Sequence, residues 1–142
     1  MTAKRYLEKL SYYKEKRQAL RNKRGELRID IAARGIDYAA DRVQSTPKNQ
    51  MEEEGWRLLE KLQEVDSEIA WLTEEIDKRH DMIMKVSQEA RMRVLYQRYY
   101  IGRALKEIAG EIGYSYDYVR RLNSEGLKEV EDMLKKSQNN TK

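Results

Sequence analysis

The fold is decided by the stretch Leu105–Ser124, which reads LKEIAGEIGYSYDYVRRLNS. Its first part predicts a helix, because the apolar residues recur every three or four positions and so share one face. These residues are Leu105, Ile108, Ala109 and Ile112. Gly113 marks the end of this helix, since glycine adopts the left-handed cap conformation at little cost. The stretch therefore opens with a short amphipathic helix and a sharp turn.

A second helix is predicted directly after the turn. Ser115 is a good N-cap residue, and Asp117 suits the positive end of the helix dipole. Val119 and Leu122 give this helix an inner face, and the small Ala109 suits a close crossing of the two helices. The pattern predicts a helix-turn-helix, a motif that mainly places its second helix in the DNA major groove. The alternative is an ordinary helical hairpin inside a small core.

Helices are also predicted on both sides of this stretch. The upstream segment has its own apolar face and ends at Ile101-Gly102, which predicts a supporting helix. Its face comprises Met92, Leu95, Tyr96, Tyr99 and Tyr100. Downstream, Leu127, Val130 and Leu134 extend the second motif helix at helical spacing. We therefore expect a DNA-binding domain over 88–136 and a polar, frayed tail over 137–142.

The most regular apolar pattern of the chain lies between residues 51 and 87. Apolar residues alternate there in steps of four and three, and only Arg79 interrupts them. They are Leu58, Leu62, Val65, Ile69, Leu72, Ile76, Ile83 and Val86. A heptad pattern sustained in this way predicts a coiled-coil helix, whose stripe needs a partner. We expect Leu58, Leu62, Val65, Ile69, Leu72, Ile76 and Ile83 to support oligomerisation.

A first long helix is predicted over residues 4–34, ending near Gly35. Its heptad seam comprises Tyr6, Leu10, Tyr13, Leu20, Leu27 and Ile31, with Arg17 and Arg24 at the remaining positions. Residues 36–50 hold Pro47 and a polar cluster, which predicts a flexible loop. The first helix can then fold back on the second, and a second copy of the chain could complete a four-helix bundle. The expected fold is all-α: a long antiparallel helical hairpin over 1–87, followed by a three-to-four-helix helix-turn-helix domain.

Composition and charge exclude several classes of function. The 142 residues include no Cys, so thiolate metal sites and disulfides are excluded, and a reducing cytoplasm is expected. No secretory leader and no apolar run of membrane-spanning length is expected, and neither is any cofactor. No His lies at metal-ligand spacing from the acidic side chains, and no glycine-rich phosphate loop occurs. An enzyme is therefore disfavoured.

The charge is distributed unevenly along the chain. Residues 1–35 hold 11 basic and 4 acidic residues, residues 36–87 hold 7 and 13, and residues 88–142 hold 11 and 8. This asymmetry suggests a basic helix lying along an acidic one, with a basic module beyond them. Surface ion pairs of this kind contribute only about 0–1 kcal/mol each, so they set orientation more than stability.

The C-terminal part of the chain contains LYQRYYIGRALKEIAGEIGYS, followed by YVRRL and GLKEVEDML. The upstream part contains TAKRYLEKL, DRVQSTPKN and the acidic leucine helix. With these motifs nearly the whole chain resembles phage-encoded late-gene transcription regulators of the RinA and ArpU kind, and the C-terminal part also resembles region four of bacterial sigma factors. The resemblance implies a DNA-binding protein in the cytoplasm of a bacterial host that acts on late-operon transcription, and we expect a dimeric activator.

The chain departs from that family at three positions. Ala104 stands where Ser or Thr usually caps the first motif helix, at a cost of about 1 kcal/mol. Asp117 and Glu125 stand where basic or neutral polar residues are common. Both acidic residues weaken the attraction to phosphate, so we expect modest intrinsic DNA affinity that depends on dimerisation or on a partner.

The second motif helix supplies the predicted DNA-reading residues. Its outward face is expected to present Ser115, Tyr116, Asp117, Arg120, Arg121 and Ser124 to the bases or the adjacent phosphates. Arg103 and Lys106 are candidate contacts to the DNA backbone, and Arg91, Arg93 and Arg98 are weaker ones. Two other hypotheses remain: a phage small terminase subunit, which predicts a ring-shaped oligomer, and a helical adaptor that binds RNA polymerase instead of DNA.

Overall fold

The structure is a computed structural model that describes residues 2–35 and 50–140. Regular structure within those residues is entirely helical, which confirms the predicted all-α class. The α-helices are α1 Ala3–Ala33, α2 Gln50–Met84, α3 Glu89–Leu95, α4 Leu105–Ile112 and α5 Tyr116–Asn140. The predicted loop lies outside the described residues except for its last residue, Gln50, which is already helical.

The chain divides into two compact units. One unit, here called the hairpin unit, comprises residues 15–73. The other, the motif unit, comprises residues 1–14 and 74–142. The first turns of α1 and the last turns of α2 therefore group with α3, α4 and α5.

The hairpin unit holds an apolar core with antiparallel ion pairs along it. Leu27 and Ile31 of α1 form one cluster with Leu62, Val65 and Ile69 of α2. The chain direction follows from the paired side chains: Arg34 lies 2.9 Å from Glu54, Arg24 lies 3.6 Å from Asp66, and Lys16 lies 3.9 Å from Glu68. The predicted pairing of a basic segment with an acidic one is thus observed within this unit.

The seam residues of α2, which were predicted to support oligomerisation, pack within one chain in the structure. Six of the seven are already buried within one chain: Leu62, Val65, Ile69, Leu72, Ile76 and Ile83. The seventh, Leu58, is half-buried and packs against the cluster of the hairpin unit. Helix α1 covers this part of the stripe in the hairpin unit, where Leu27 and Ile31 pack against it.

The seam of α1 begins differently from the prediction. Leu10, Tyr13, Leu27 and Ile31 are buried as predicted, but Tyr6 is only half-buried. Ala3 and Leu7 take the core positions instead, with 1% and 0% of their surface exposed. The reason is Arg79, whose guanidinium carbon lies 4.1 Å from the centroid of the Tyr6 ring. The Tyr6 ring therefore covers a cation, and the next residue fills the apolar core.

The supporting helix also differs from a regular α-helix. Helix α3 ends at Leu95, and residues Tyr96–Ile101 form a π-helical turn. Gly102 closes this turn with φ 97°, and the carbonyl of Gln97 accepts hydrogen bonds from the amides of Gly102 and Arg103 at 3.1 and 2.9 Å. The break at Ile101-Gly102 is confirmed. At the other end of the chain α5 extends to Asn140, so the predicted frayed tail is helical from Ser137 onward within the described residues.

Candidate nucleic-acid interface

Helix α4 is positioned by two buried residues and a glycine turn. Ile108 and Ala109 lie in an apolar cluster with Val94 of α3, and with Val119 and Leu122 of α5. The helix begins after Ala104, which has extended backbone and makes no side-chain cap, as the sequence suggested. It ends at Gly113, where φ is 83° and the carbonyl of Ala109 accepts the amides of Gly113 and Tyr114. These bonds satisfy carbonyl groups that a helix end would otherwise leave unpaired.

Helix α5 begins with the predicted cap. The hydroxyl of Ser115 accepts a hydrogen bond from the amide of Tyr118 at 3.2 Å. Val119 and Leu122 are then buried, with 0% and 2% of their surface exposed. Because these two residues point into the core, the opposite side of the first turns must face solvent. The six predicted reading residues are indeed all exposed: Ser115, Tyr116, Asp117, Arg120, Arg121 and Ser124.

We call these six residues the α5 face. The arginines of this face lie near acidic and aromatic side chains of the same surface. Arg120 lies 3.8 Å from the carboxylate of Asp117 and 5.6 Å from the ring centroid of Tyr116. The amine of Lys106 lies 5.7 Å from the centroid of the same ring. Arg121 lies 5.1 Å from the centroid of the Tyr118 ring. The arginines of the α5 face thus lie beside tyrosine rings and carboxylates.

The two candidate backbone contacts of α4 differ in their surroundings. Lys106 is exposed beside Tyr116, as a phosphate contact requires. Arg103 forms a salt bridge with Glu111, and hydrogen bonding to that carboxylate raises the pKa of Arg103. Arg98 lies on the π-helical turn and donates a hydrogen bond to the carbonyl of Arg103 at 3.3 Å. The structure therefore leaves Lys106 as the better placed of the two predicted backbone contacts.

Arg91 of α3, one of the weaker candidate contacts to the DNA backbone, forms ion pairs within the motif unit. It lies 2.7 Å from Glu125 and 2.9 Å from Glu129, both on α5. Glu129 also accepts hydrogen bonds from the amide and the hydroxyl of Ser87, at 2.9 and 2.8 Å. Burial alone would raise the pKa of Glu129, but these bonds from Ser87 and Arg91 outweigh it and hold the pKa below its usual value. The network fixes α5 against α3.

Sequence reasoning missed this network, because its members are about forty positions apart. Glu125 was interpreted as a residue that repels phosphate. In the structure it pairs with Arg91 and also lies 3.9 Å from Arg121 of the α5 face. One carboxylate therefore joins the supporting helix to a predicted reading arginine. No local pattern in the sequence marks that role.

The tyrosines near the motif divide into packed and exposed sets. Tyr99 is buried, and the rings of Tyr96 and Tyr100 stack at 5.2 Å beside His80. The amine of Lys14 lies 3.9 Å from the centroid of the Tyr100 ring and donates to the Tyr100 carbonyl at 2.7 Å. These tyrosines serve packing. Tyr114 and Tyr116, by contrast, each expose 41% of their surface next to the α5 face.

Other kinds of site find no support in the part of the chain that the structure describes. Residues 2–35 and 50–140 contain no group of three His, Asp or Glu side chains arranged to hold a metal ion. No described helix is both long and apolar enough to cross a bilayer. Comparison of the chain with protein-family models, curated proteins and solved structures returns no match. The resemblance to phage late-gene regulators therefore remains an expectation.

Proposed function

We propose that this protein binds double-stranded DNA in a sequence-specific manner and regulates transcription. The observation that supports the proposal best is the construction of α5. Val119 and Leu122 anchor the helix from below, while six polar side chains stand exposed on its first turns. A helix held in this way, with a free polar N-terminal face, suits insertion into the major groove.

Each type of side chain on the α5 face would make a different kind of contact with DNA. Arg120 or Arg121 would bind guanine with two hydrogen bonds, which is worth about 1–3 kcal/mol of discrimination against a wrong base. Asp117 would accept a hydrogen bond from the amino group of cytosine. The hydroxyl groups of the face and the amine of Lys106 would bind phosphate, which fixes the position on DNA without reading the sequence.

The biological setting follows from the resemblance. The proposal places the protein in the cytoplasm of a bacterial host as a phage or prophage regulator, acting as an activator of the late operon. One motif covers too little DNA for useful specificity, so a dimer that occupies two half-sites is part of the proposal. Since the seam of α2 is covered within one chain, the dimer would use other exposed surfaces. Direct contact with RNA polymerase is compatible with this role.

DNA binding by three proteins across a salt series tests the proposal. The first is wild type, the second is Arg120→Ala/Arg121→Ala, and the third is the matched control Lys135→Ala/Lys136→Ala. The control removes the same charge from exposed positions of the same helix. The probes are a duplex selected from a random library by wild-type protein, and a scrambled duplex. We expect the reading double variant to lose the preference for the selected duplex, and the control to keep it.

A protein adaptor is the second candidate, because three motif cations lie near carboxylates. These pairs are Arg103 with Glu111, Arg120 with Asp117, and Arg121 with Glu125. The adaptor predicts weak binding with a flat salt dependence that ignores the arginine substitutions. The small terminase hypothesis predicts a ring-shaped oligomer, so sedimentation of the full chain separates it from a dimeric regulator.

A further inference from the structure

The two oxygens of the Glu125 carboxylate face different arginines. Oε2 lies 2.7 Å from Nη2 of Arg91 and accepts a hydrogen bond from Nε of the same side chain at 3.0 Å. Oε1 lies 3.9 Å from Nε of Arg121, which belongs to the α5 face. One carboxylate is therefore shared between a short contact to the supporting helix α3 and a long contact to a proposed reading arginine.

Arg91 is also bound by a second carboxylate of α5. Its Nη1 donates a hydrogen bond to Oε2 of Glu129 at 2.9 Å. The other oxygen of Glu129 accepts the hydrogen bonds from Ser87. Each guanidinium nitrogen of Arg91 thus contacts a carboxylate, so the side chain is held inside the motif unit. We call Ser87, Arg91, Glu125 and Glu129 the Arg91 network.

The two contacts of Glu125 differ in strength as well as in length. The side chains of Arg91 and Glu125 expose only 23% and 34% of their surface, whereas that of Arg121 exposes 67%. Water and salt screen a partly buried ion pair less than an exposed one. The pair with Arg121 is both long and exposed, and pairs of that kind contribute little. DNA can therefore displace Glu125 from Arg121 at low cost.

This balance depends on Arg91. Without it, Glu125 and Glu129 would lose the cation that they share, although they lie one helical turn apart. Among the ion pairs of the residues that the structure describes, Glu125 would keep only the one with Arg121. The carboxylate could then turn toward Arg121 and compete with DNA for it.

We propose that Arg91 is a positioning residue for DNA recognition, which binds Glu125 and so leaves Arg121 available to the bases. This inference rests on the proposed function. Arg91 itself touches no DNA and acts on the choice of bases through Arg121. A direct contact of Arg91 with phosphate would instead add affinity for every sequence equally.

A double-mutant cycle in the full chain tests the proposal. It comprises Arg91→Gln, Glu125→Gln and the double variant, measured on the selected and the scrambled duplex. Residues of one network couple by factors of roughly 2 to 100, so Arg91→Gln should weaken binding to the selected duplex by about tenfold. Glu125→Gln should restore most of that loss in the Arg91→Gln background and change the binding of wild type much less.

Two further variants separate positioning from a general loss of stability. In an Arg121→Ala background, Arg91→Gln should leave the remaining sequence preference unchanged, because the residue through which it acts is missing. Glu129→Gln is the matched control, since it removes the other carboxylate that binds Arg91 and keeps the contact to Glu125. It should lower the melting temperature without changing the sequence preference.

A measurement without DNA reports on the same contact. The Nε–H proton of Arg121, followed by NMR, should exchange with water more slowly in Arg91→Gln than in wild type, because Glu125 then binds it more closely. In Arg91→Gln/Glu125→Gln the exchange should be fast again. An exchange rate that ignores both substitutions refutes the inference.

The remaining outcomes identify what would be wrong. A loss in Arg91→Gln that Glu125→Gln does not relieve, with the salt slope reduced by about 0.9, makes Arg91 a phosphate contact. An equal loss of preference in Glu129→Gln means that the network only stabilises α5. If Arg91→Gln keeps the preference that Arg120→Ala/Arg121→Ala loses, the inference fails and the proposed function stands. If wild-type protein shows no salt-dependent DNA binding, both fail.

Discussion

Arg79 offers the sharpest test of how the motif unit is stabilised. It is the one charged residue classed as buried among the described residues, with 4% of its surface exposed. Its Nε donates to the carbonyl of Tyr6 at 2.8 Å. Its Nη1 donates to the carbonyl and the carboxylate of Glu75 at 3.0 and 3.1 Å. The guanidinium also lies over the rings of Tyr6 and Tyr13 at 4.1 and 4.9 Å.

Arg79→Ala should lower the free energy of unfolding by about 3 kcal/mol. Removing one partner of a buried ion pair costs about 3–5 kcal/mol, mostly because the other charge is left unpaired. Here the lower end applies, since Glu75 keeps Lys78 as a second partner at 3.2 Å. Arg79→Met retains the apolar stem and should lose less, about 1–2 kcal/mol, through the missing hydrogen bonds and cation–π contacts.

Urea unfolding of the full chain, followed by circular dichroism, measures these losses. Arg21→Ala is the matched control, because this arginine is exposed on α1 and its removal should change stability by no more than about 0.5 kcal/mol. The reasoning is wrong if Arg79→Ala is as stable as the control. If Arg79→Met equals wild type, packing of the stem stabilises the unit and the charge contributes nothing.

Three further predictions concern the motif unit. Gly126→Ala should destabilise the chain by about 1–3 kcal/mol, because the new Cβ would lie 2.9 Å from Cδ1 of Leu95. Gly110→Ala has open space on α4 and should stabilise the chain by about 0.5–1 kcal/mol. Thermal unfolding of the two variants measures both effects. Because the pKa of Glu129 is held below its ordinary 4.5, its contribution to stability is present above that pH and is lost as the pH falls below it. The melting temperature of Glu129→Gln should therefore fall less than that of wild type between neutral pH and about pH 3. Ala104→Ser should supply the missing cap of α4 and stabilise the chain by about 1 kcal/mol, an effect that hydrogen exchange in α4 would report and that unchanged exchange would contradict.

The features that the sequence predicted well are those set by local pattern. The period of α2 identified every buried seam position, because alternating steps of three and four place residues on one face whatever the partner is. The turn at Gly113 and the cap at Ser115 were equally predictable, since each depends on the conformational preference of one residue. The exposure of the α5 face then followed from the burial of Val119 and Leu122.

The features that were missed depend on partners distant in the chain. Arg79 was visible only as a gap in an apolar run, because the Tyr6 carbonyl that it binds lies 73 positions away. The shift of the α1 seam to Leu7 follows from the same contact. The π-helical turn left no signal either, since the spacing of Tyr96, Tyr99 and Tyr100 suits an α-helix as well. The contacts between Arg79 and Tyr6 join residues that are distant in the chain, and single-residue preferences do not encode them.

We expect Asp117 to lower the affinity of the α5 face for DNA and to raise its sequence specificity. Its carboxylate lies 3.8 Å from Arg120, and an exposed pair of this kind contributes only about 0–1 kcal/mol. Two hydrogen bonds from Arg120 to guanine favour the correct base by about 1–3 kcal/mol. The correct base can therefore displace Asp117 from Arg120, whereas a phosphate or a wrong base gains little binding energy by doing so. Asp117→Asn should therefore strengthen binding to the scrambled duplex more than to the selected one. Weaker binding to the selected duplex alone, with an unchanged melting temperature, would instead show that the proposed cytosine contact of Asp117 outweighs its pairing with Arg120.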